Sequence, residues 1–111
     1  MENKMLDLLK TRRSVRAYRP EQITPEELAA VTEAGTWAPT GMGLQSPVIV
    51  AVQSPKYRKA VEELNKKARG GEQDPYYGAP TVVLVLADSF RGTCVEDGSC
   101  VLATMMQAAH A

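Results

Sequence analysis

Three guanidinium groups and a hydroxyl fall within five residues at Arg12-Arg13-Ser14-Val15-Arg16. That combination suits a phosphate, because guanidinium presents planar forked donors to phosphate oxygens and serine adds a short-range donor or acceptor. Ordinary surface arginines, satisfied by carboxylates and water, are the plainer reading of the same residues. A second candidate is the stretch Pro39 to Pro47, where Gly41 and Gly43 leave backbone amides unobstructed against a planar ligand and Gln45 adds a side-chain amide. It lacks the lysine of a phosphate loop and does not match the dinucleotide fingerprint. By composition alone a plain connecting loop fits it as well.

Conventional catalytic sets are absent from the sequence. His110, the only histidine, lies on an apolar helix face with no acidic neighbour at helical spacing, and reads as a core or interface histidine. Asp88, Glu96 and Asp97 flank the start of the last helix, where carboxylates complement the helix dipole. Cys94 and Cys100 have no second pair and read as reduced, structural thiols. Neither a metal site nor a catalytic side chain is expected.

The elements that must position these residues follow from periodicity and punctuation. Met5, Leu6, Leu8 and Leu9 predict a short amphipathic helix ending near Lys10 or Thr11, directly before the basic stretch. Thr24, Pro25 and Glu27 form a helix start with a capping box, and Leu28, Val31 and Ala34 would face the core. Val48 to Val52 and Thr81 to Leu86 are unbroken apolar runs, read as buried strands. Between them, Ser54 and Pro55 open a helix with Tyr57, Val61 and Leu64 on one side, and Gly70-Gly71 closes it. Lys59, Glu62, Glu63, Lys66 and Lys67 surround the rest as a solvated face. Thr93 and Glu96 suggest another capping box, followed by a largely buried helix carrying Val101, Leu102, Met105, Met106 and Ala109.

A chain of 111 residues, 44% hydrophobic and 23% charged, suits one soluble domain. Thirteen basic residues balance thirteen acidic ones, so no overall field draws it to nucleic acid or an anionic membrane. The charge is uneven, since six basic residues stand against two acidic ones before Glu21. No run of 18 or more apolar residues occurs and Met1 to Lys10 is too polar for a secretory signal, so a cytoplasmic location is expected. Ala108 to Ala111 carries no helix terminator, and two strands do not make a stable sheet alone, so a truncated chain, a partial domain over 1–111, is expected.

Taken in order, Arg12-Arg13-Ser14-Val15-Arg16-Ala17-Tyr18, Ile23 to Leu28, and Ala38-Pro39-Thr40-Gly41-Met42-Gly43-Leu44-Gln45-Ser46-Pro47 resemble the nitroreductase family of flavoproteins. Tyr76-Tyr77-Gly78-Ala79-Pro80 and Ala108-Ala109-His110-Ala111 are similar as well. The resemblance implies an α+β, three-layer α/β/α fold with a mixed, largely antiparallel sheet, incomplete in this chain, and an intertwined homodimer with FMN at the subunit interface. Spacing alone suggests a parallel crossover between the two strands, because a helix connects them; the resemblance overrides that reading.

The same resemblance implies that Arg12, Arg13 and Ser14 hold the FMN phosphate and ribityl chain. Arg16 would reach the pyrimidine edge of the ring, where positive charge favours the reduced, anionic flavin. Pro39, Thr40, Gly41, Gly43 and Gln45 would pack on the flavin from the other subunit. An asparagine commonly stands in the family where this chain has Gly43, so no side-chain amide is offered there. A family member is expected to be an FMN-dependent NAD(P)H oxidoreductase. It would reduce nitroaromatic, quinone or similar small-molecule acceptors by ping-pong hydride transfer through flavin N5, with FMN carrying the chemistry and NAD(P)H as co-substrate. The competing reading is a non-catalytic, truncated flavin-binding or dimerisation module.

Overall fold

The computed structural model describes residues 1–111. Six regular elements occur: α1 (Lys4–Thr11), α2 (Pro25–Thr36), β1 (Val48–Val52), α3 (Pro55–Arg69), β2 (Val82–Leu86) and α4 (Cys94–His110), with a single 3-10 turn at Gly41–Gly43. No helix is long and apolar enough to cross a membrane.

Local chemistry sets most of the boundaries. Asn3 caps α1 by accepting the amides of Met5 and Leu6. The predicted capping box of α2 is formed: Thr24 Oγ1 accepts the Glu27 amide and Glu27 Oε2 accepts the Thr24 amide, each at 3.1 Å. Gly70 ends α3 in the left-handed region at φ 73°, and the amides of Gly70 and Gly71 both return to the Lys66 carbonyl. The expected box at Thr93 and Glu96 does not form. Thr93 makes no side-chain cap, and its hydroxyl donates instead to Asp97 one turn into α4.

β1 and β2 pair as a two-stranded antiparallel sheet. Gln53 Nε2, just past β1, donates to Thr81 Oγ1, just before β2, at 3.0 Å. The strands lie where their valine-rich runs predict, but β1 is not buried: Val48 is 55% exposed and Val50 is also exposed. A buried parallel-type strand needs layers on both faces, and the described residues do not supply them.

The chain divides into two compact units. The first holds residues 1–13, 24–49 and 85–111, and so contains α1, α2 and α4. Here α4 packs on α2, and the approach is set by Gly35, where an added Cβ would fall 2.8 Å from both Ile49 Cδ1 and Met105 Cγ. Ala38, Val101 and Met105 are the buried apolar side chains of this unit, while Leu28, Val31 and Ala34 are half-buried. The inward stripe of α4 is Asp97, Gly98, Val101 and Met105. Leu102, Met106 and Ala109, expected inside, are exposed: Leu102 and Met106 lie to one side of that stripe, and Ala109 stands in the last turn of the helix.

The second unit holds residues 14–23 and 50–84. Its half-buried α3 face is largely polar: of the expected apolar side Val61 is half-buried while Tyr57 and Leu64 are exposed, and Arg58 makes most of the polar contacts. Arg58 Nε donates to the Ala79 carbonyl at 2.7 Å, Nη1 to Glu62 at 3.1 Å and Nη2 to Asp74 at 2.7 Å, with the guanidinium over the Tyr76 ring. Lys66 bridges to Glu62 at 2.8 Å. That hydrogen bond holds the Glu62 carboxyl below its ordinary pKa and raises that of Lys66. At Asp74 desolvation pushes upward, but Arg58 and the amides of Tyr76 and Gly78 outweigh it, and the carboxyl sits below its ordinary value.

Candidate functional site

Arg12 and Arg13 emerge at the last turn of α1. Arg13 Nη1 donates to the carbonyls of Lys10 and Arg12 at 2.7 and 2.9 Å, which satisfies orphan acceptors at the helix end. The place where they emerge is fixed from α4: Thr11 Oγ1 and His110 Nε2 lie 2.9 Å apart. His110 is therefore an exposed anchor for α1 and not a core residue. Its apolar sequence neighbours hid this role, because the exposed side of α4 is itself apolar.

Arg12 is half-buried and Arg13 exposed; Ser14, Arg16 and Arg19, which belong to the second unit, are all exposed. None of these four arginines enters an ion pair, and the ion pairs of the chain are confined to Arg58 and Lys66. Of the plain reading, the carboxylate partners are absent and solvent exposure is present. The segment carries cationic donors without an acidic partner, with Ser14 among them in sequence.

The loop after α2 is far from a loose connection. Thr40 Oγ1 accepts the Gln45 amide at 2.9 Å and donates to Gln45 Oε1 at 2.5 Å, while Gln45 Nε2 donates to the Thr36 carbonyl at 2.6 Å. The side-chain amide of Gln45 thus braces the loop from within, and the loop's outward offering is backbone. Met42 at φ 57° and Gln45 at φ 51° occupy the left-handed region, a strain of roughly 1–2 kcal/mol for each such residue. Gly43 at φ 65° occupies it without penalty, with open space around its Cα.

Gly41 serves a different purpose from the one its sequence context suggests. A Cβ there would lie 2.3 Å from Thr93 Oγ1, so the missing side chain admits a protein neighbour. Its amide donates to Asp97 Oδ1 at 2.9 Å, and Asp97 Oδ2 accepts Thr93 Oγ1 at 2.9 Å. Asp97 is 4% exposed and is the only buried charged residue of the chain. Sequence reasoning assigned it only to the helix dipole; a carboxylate flanked by Gly98 and Val101 on the inward stripe was the available signal. Pro39 and Gly43 are exposed, Thr40 and Gly41 half-buried. Beside this loop Trp37 and Met42 are 81% and 89% exposed.

The structure thus joins Thr40, Gly41 and Gln45 in one braced loop, and Arg12 and Arg13 on one helix end. No hydrogen bond ties the loop to those two arginines.

Known proteins with this architecture carry FMN in several solved examples. A nitroreductase with bound FMN from Bacteroides fragilis is 32% identical and superposes with a TM-score of 0.88 over 98% of this chain and 65% of its own. An FMN-dependent nitroreductase from Clostridium difficile is 26% identical, with a TM-score of 0.85 over 96% and 55% of the two chains. A nitroreductase with bound FMN from Desulfitobacterium hafniense is 27% identical, with a TM-score of 0.82 over 99% and 66%. The chain therefore spans about 55–66% of the length of these solved relatives. No curated protein sequence matches it significantly. The sequence profile of the nitroreductase family matches residues 9–111, almost the entire chain, and on that match this protein belongs to the nitroreductase family.

Proposed function

We propose that the protein is an FMN-dependent NAD(P)H oxidoreductase, working as a homodimer. The observation that carries this reading is the run of guanidinium groups after α1 that have no acidic partner, with Ser14 among them in sequence. Their chemistry fits the phosphate and ribityl tail of a flavin mononucleotide, since forked cationic donors without a carboxylate partner pair best with a doubly charged oxyanion. In this reading Arg12, Arg13 and Ser14 hold the tail. Arg16 supplies positive charge to the ring's pyrimidine edge. The FMN bound in the relatives supports a flavin as the group that is held.

The loop Pro39, Thr40, Gly41, Gly43 and Gln45 would present its backbone to the flavin of the other subunit. The support for an intermolecular role is the exposed apolar rim around it, Trp37, Met42 and Leu44, which favours contact with another polypeptide over contact with water. FMN held in this way supplies two-electron chemistry, accepting hydride from NADH or NADPH and reducing a nitroaromatic, quinone or similar acceptor. The chain's own part is to bind, orient and shield that group from water. A cytoplasmic setting is consistent with this use of reduced nicotinamides.

Titration of FMN into the purified protein, followed by quenching of flavin fluorescence, tests the reading. Saturable binding is expected, together with NADH or NADPH consumption when a quinone is supplied. Replacing Arg12 and Arg13 by alanine should weaken FMN binding by about 10–100-fold, since one hydrogen bond to a charged group is worth ~1.5–3 kcal/mol. A protein that shows no affinity for FMN refutes the proposal.

A further inference from the structure

Asp97 is the one buried charged group, and no step of the proposed chemistry uses it. Its two oxygens are committed to different partners: Oδ1 accepts the Gly41 amide and Oδ2 accepts the Thr93 hydroxyl, both at 2.9 Å. A carboxylate leaves water only where hydrogen bonds compensate, so this arrangement holds the loop to α4 more firmly than a neutral contact would. Gly41 has no side chain where Thr93 Oγ1 closes against it, so the clasp is also sterically matched. Within four residues of the clasp, Met42 and Gln45 adopt left-handed backbone, which persists only where surroundings over-determine it. The Thr40 to Gln45 bracket closes the loop on itself but does not attach it to the rest of the unit, apart from the Thr36 carbonyl. Attachment to α4 falls to Asp97.

We propose that Asp97 is a positioning residue for the 39–45 loop: its carboxylate holds the Gly41 amide and thereby sets the backbone surface that the loop offers to the flavin. The last clause rests on the flavin reading above; the clasp itself does not. Asp97→Asn would not break the clasp, because its oxygen can still accept the Gly41 amide while its NH2 donates to the Thr93 hydroxyl. Asp97→Leu keeps the branched shape but has no acceptor, so both contacts are lost.

The test uses the whole protein with Asp97→Leu, Asp97→Ala and Thr93→Val, the last removing only the second donor to the carboxylate. Hydrogen exchange at the Gly41 amide is read without flavin. Exchange is expected to quicken at least about tenfold in Asp97→Leu and Asp97→Ala, and less in Thr93→Val. FMN affinity is expected to fall about tenfold in Asp97→Leu, and the visible circular dichroism of flavin at saturating FMN is expected to change. A general loss of stability does not move that saturated spectrum. Unchanged Gly41 exchange in Asp97→Leu overturns the clasp whether or not FMN binds. Faster exchange with an unaltered Kd and spectrum overturns the positioning role. Wild-type protein that ignores FMN while exchange still responds to Asp97 sinks the flavin reading, and with it that role, but not the clasp. Should Asp97→Ala fail to fold, Asp97→Leu and Thr93→Val carry the decision, and no difference between either and wild type counts against the proposal.

Discussion

Gly41→Ala isolates the steric half of the loop's attachment. The backbone at Gly41 is not left-handed, so alanine is not refused by torsion, and the effect is one of space alone. The new Cβ would stand 2.3 Å from Thr93 Oγ1 and 3.2 Å from both Thr93 Cβ and Cγ2. Ordinary contact begins near 3.4 Å, so the shortfall to the hydroxyl is about 1 Å. Thr93 Oγ1 cannot swing aside freely, because Asp97 holds it at 2.9 Å. Moving the loop outward by that shortfall would lengthen the 2.9 Å bond from the Gly41 amide to Asp97 beyond hydrogen-bond range. Overpacking costs ~1–3 kcal/mol and loss of a hydrogen bond to a charged acceptor ~1.5–3 kcal/mol, but relaxation trades one against the other, so about 2–3 kcal/mol is expected. At roughly 4–8 °C per kcal/mol for a domain of this size, Tm should fall by about 10 °C or more. Thermal unfolding followed by far-ultraviolet circular dichroism measures it. Adding Thr93→Ala to Gly41→Ala should recover part of the loss, because the oxygen is then gone. A Gly41→Ala protein that melts with wild type, or a double variant worse than the sum of the singles, refutes the steric reasoning.

Thr24→Ala removes the acceptor of the α2 capping box and should cost about 1 kcal/mol in urea unfolding, with the m-value unchanged. Gly35→Ala gains helix propensity of ~1 kcal/mol but forces a Cβ to within 2.8 Å of Ile49 and Met105; overpacking of ~1–3 kcal/mol should leave it net destabilised in the same assay, the opposite of an unconstrained glycine. Acidification provides a further check. Asp74 and Glu62 titrate below their ordinary values of 3.8 and 4.5, so the stability they contribute is present above those values and lost as pH falls through the lower, folded ones. Unfolding midpoints measured from pH 6 down to about pH 3 should drop more steeply for wild type than for Arg58→Met, which lacks the guanidinium common to both carboxylates.

Chemistry that acts over a few residues was legible in the sequence. The Thr24 to Glu27 box, the left-handed stop at Gly70 and the span Val48–Val52 each depend on neighbours within one turn or one strand, and each stands where its residues indicate. Burial was less legible, because it depends on partners distant in sequence. Val48 and Val50 read as interior by type yet face outward, and Leu102 and Met106 share an apolar helix whose packed side is decided by where α2 lies. At the candidate site, the loop and the basic segment were visible as composition. The links that make them specific, Thr93 to Asp97 to Gly41 and Thr11 to His110, join residues as many as 99 positions apart. No local pattern records such a pairing. A resemblance carried by several ordered motifs supplied the antiparallel sheet, where spacing alone suggested a parallel crossover.

The contact between Thr11 and His110 has a direction. The threonine hydroxyl has one hydrogen; where it is spent on the Asp7 carbonyl 2.7 Å away, the oxygen meets the imidazole with a lone pair and Nε2 is the donor. The last turn of α4 thus helps to set where the chain leaves α1, and a cut or frayed end there would unseat Arg12 and Arg13, which stand one and two residues beyond the threonine.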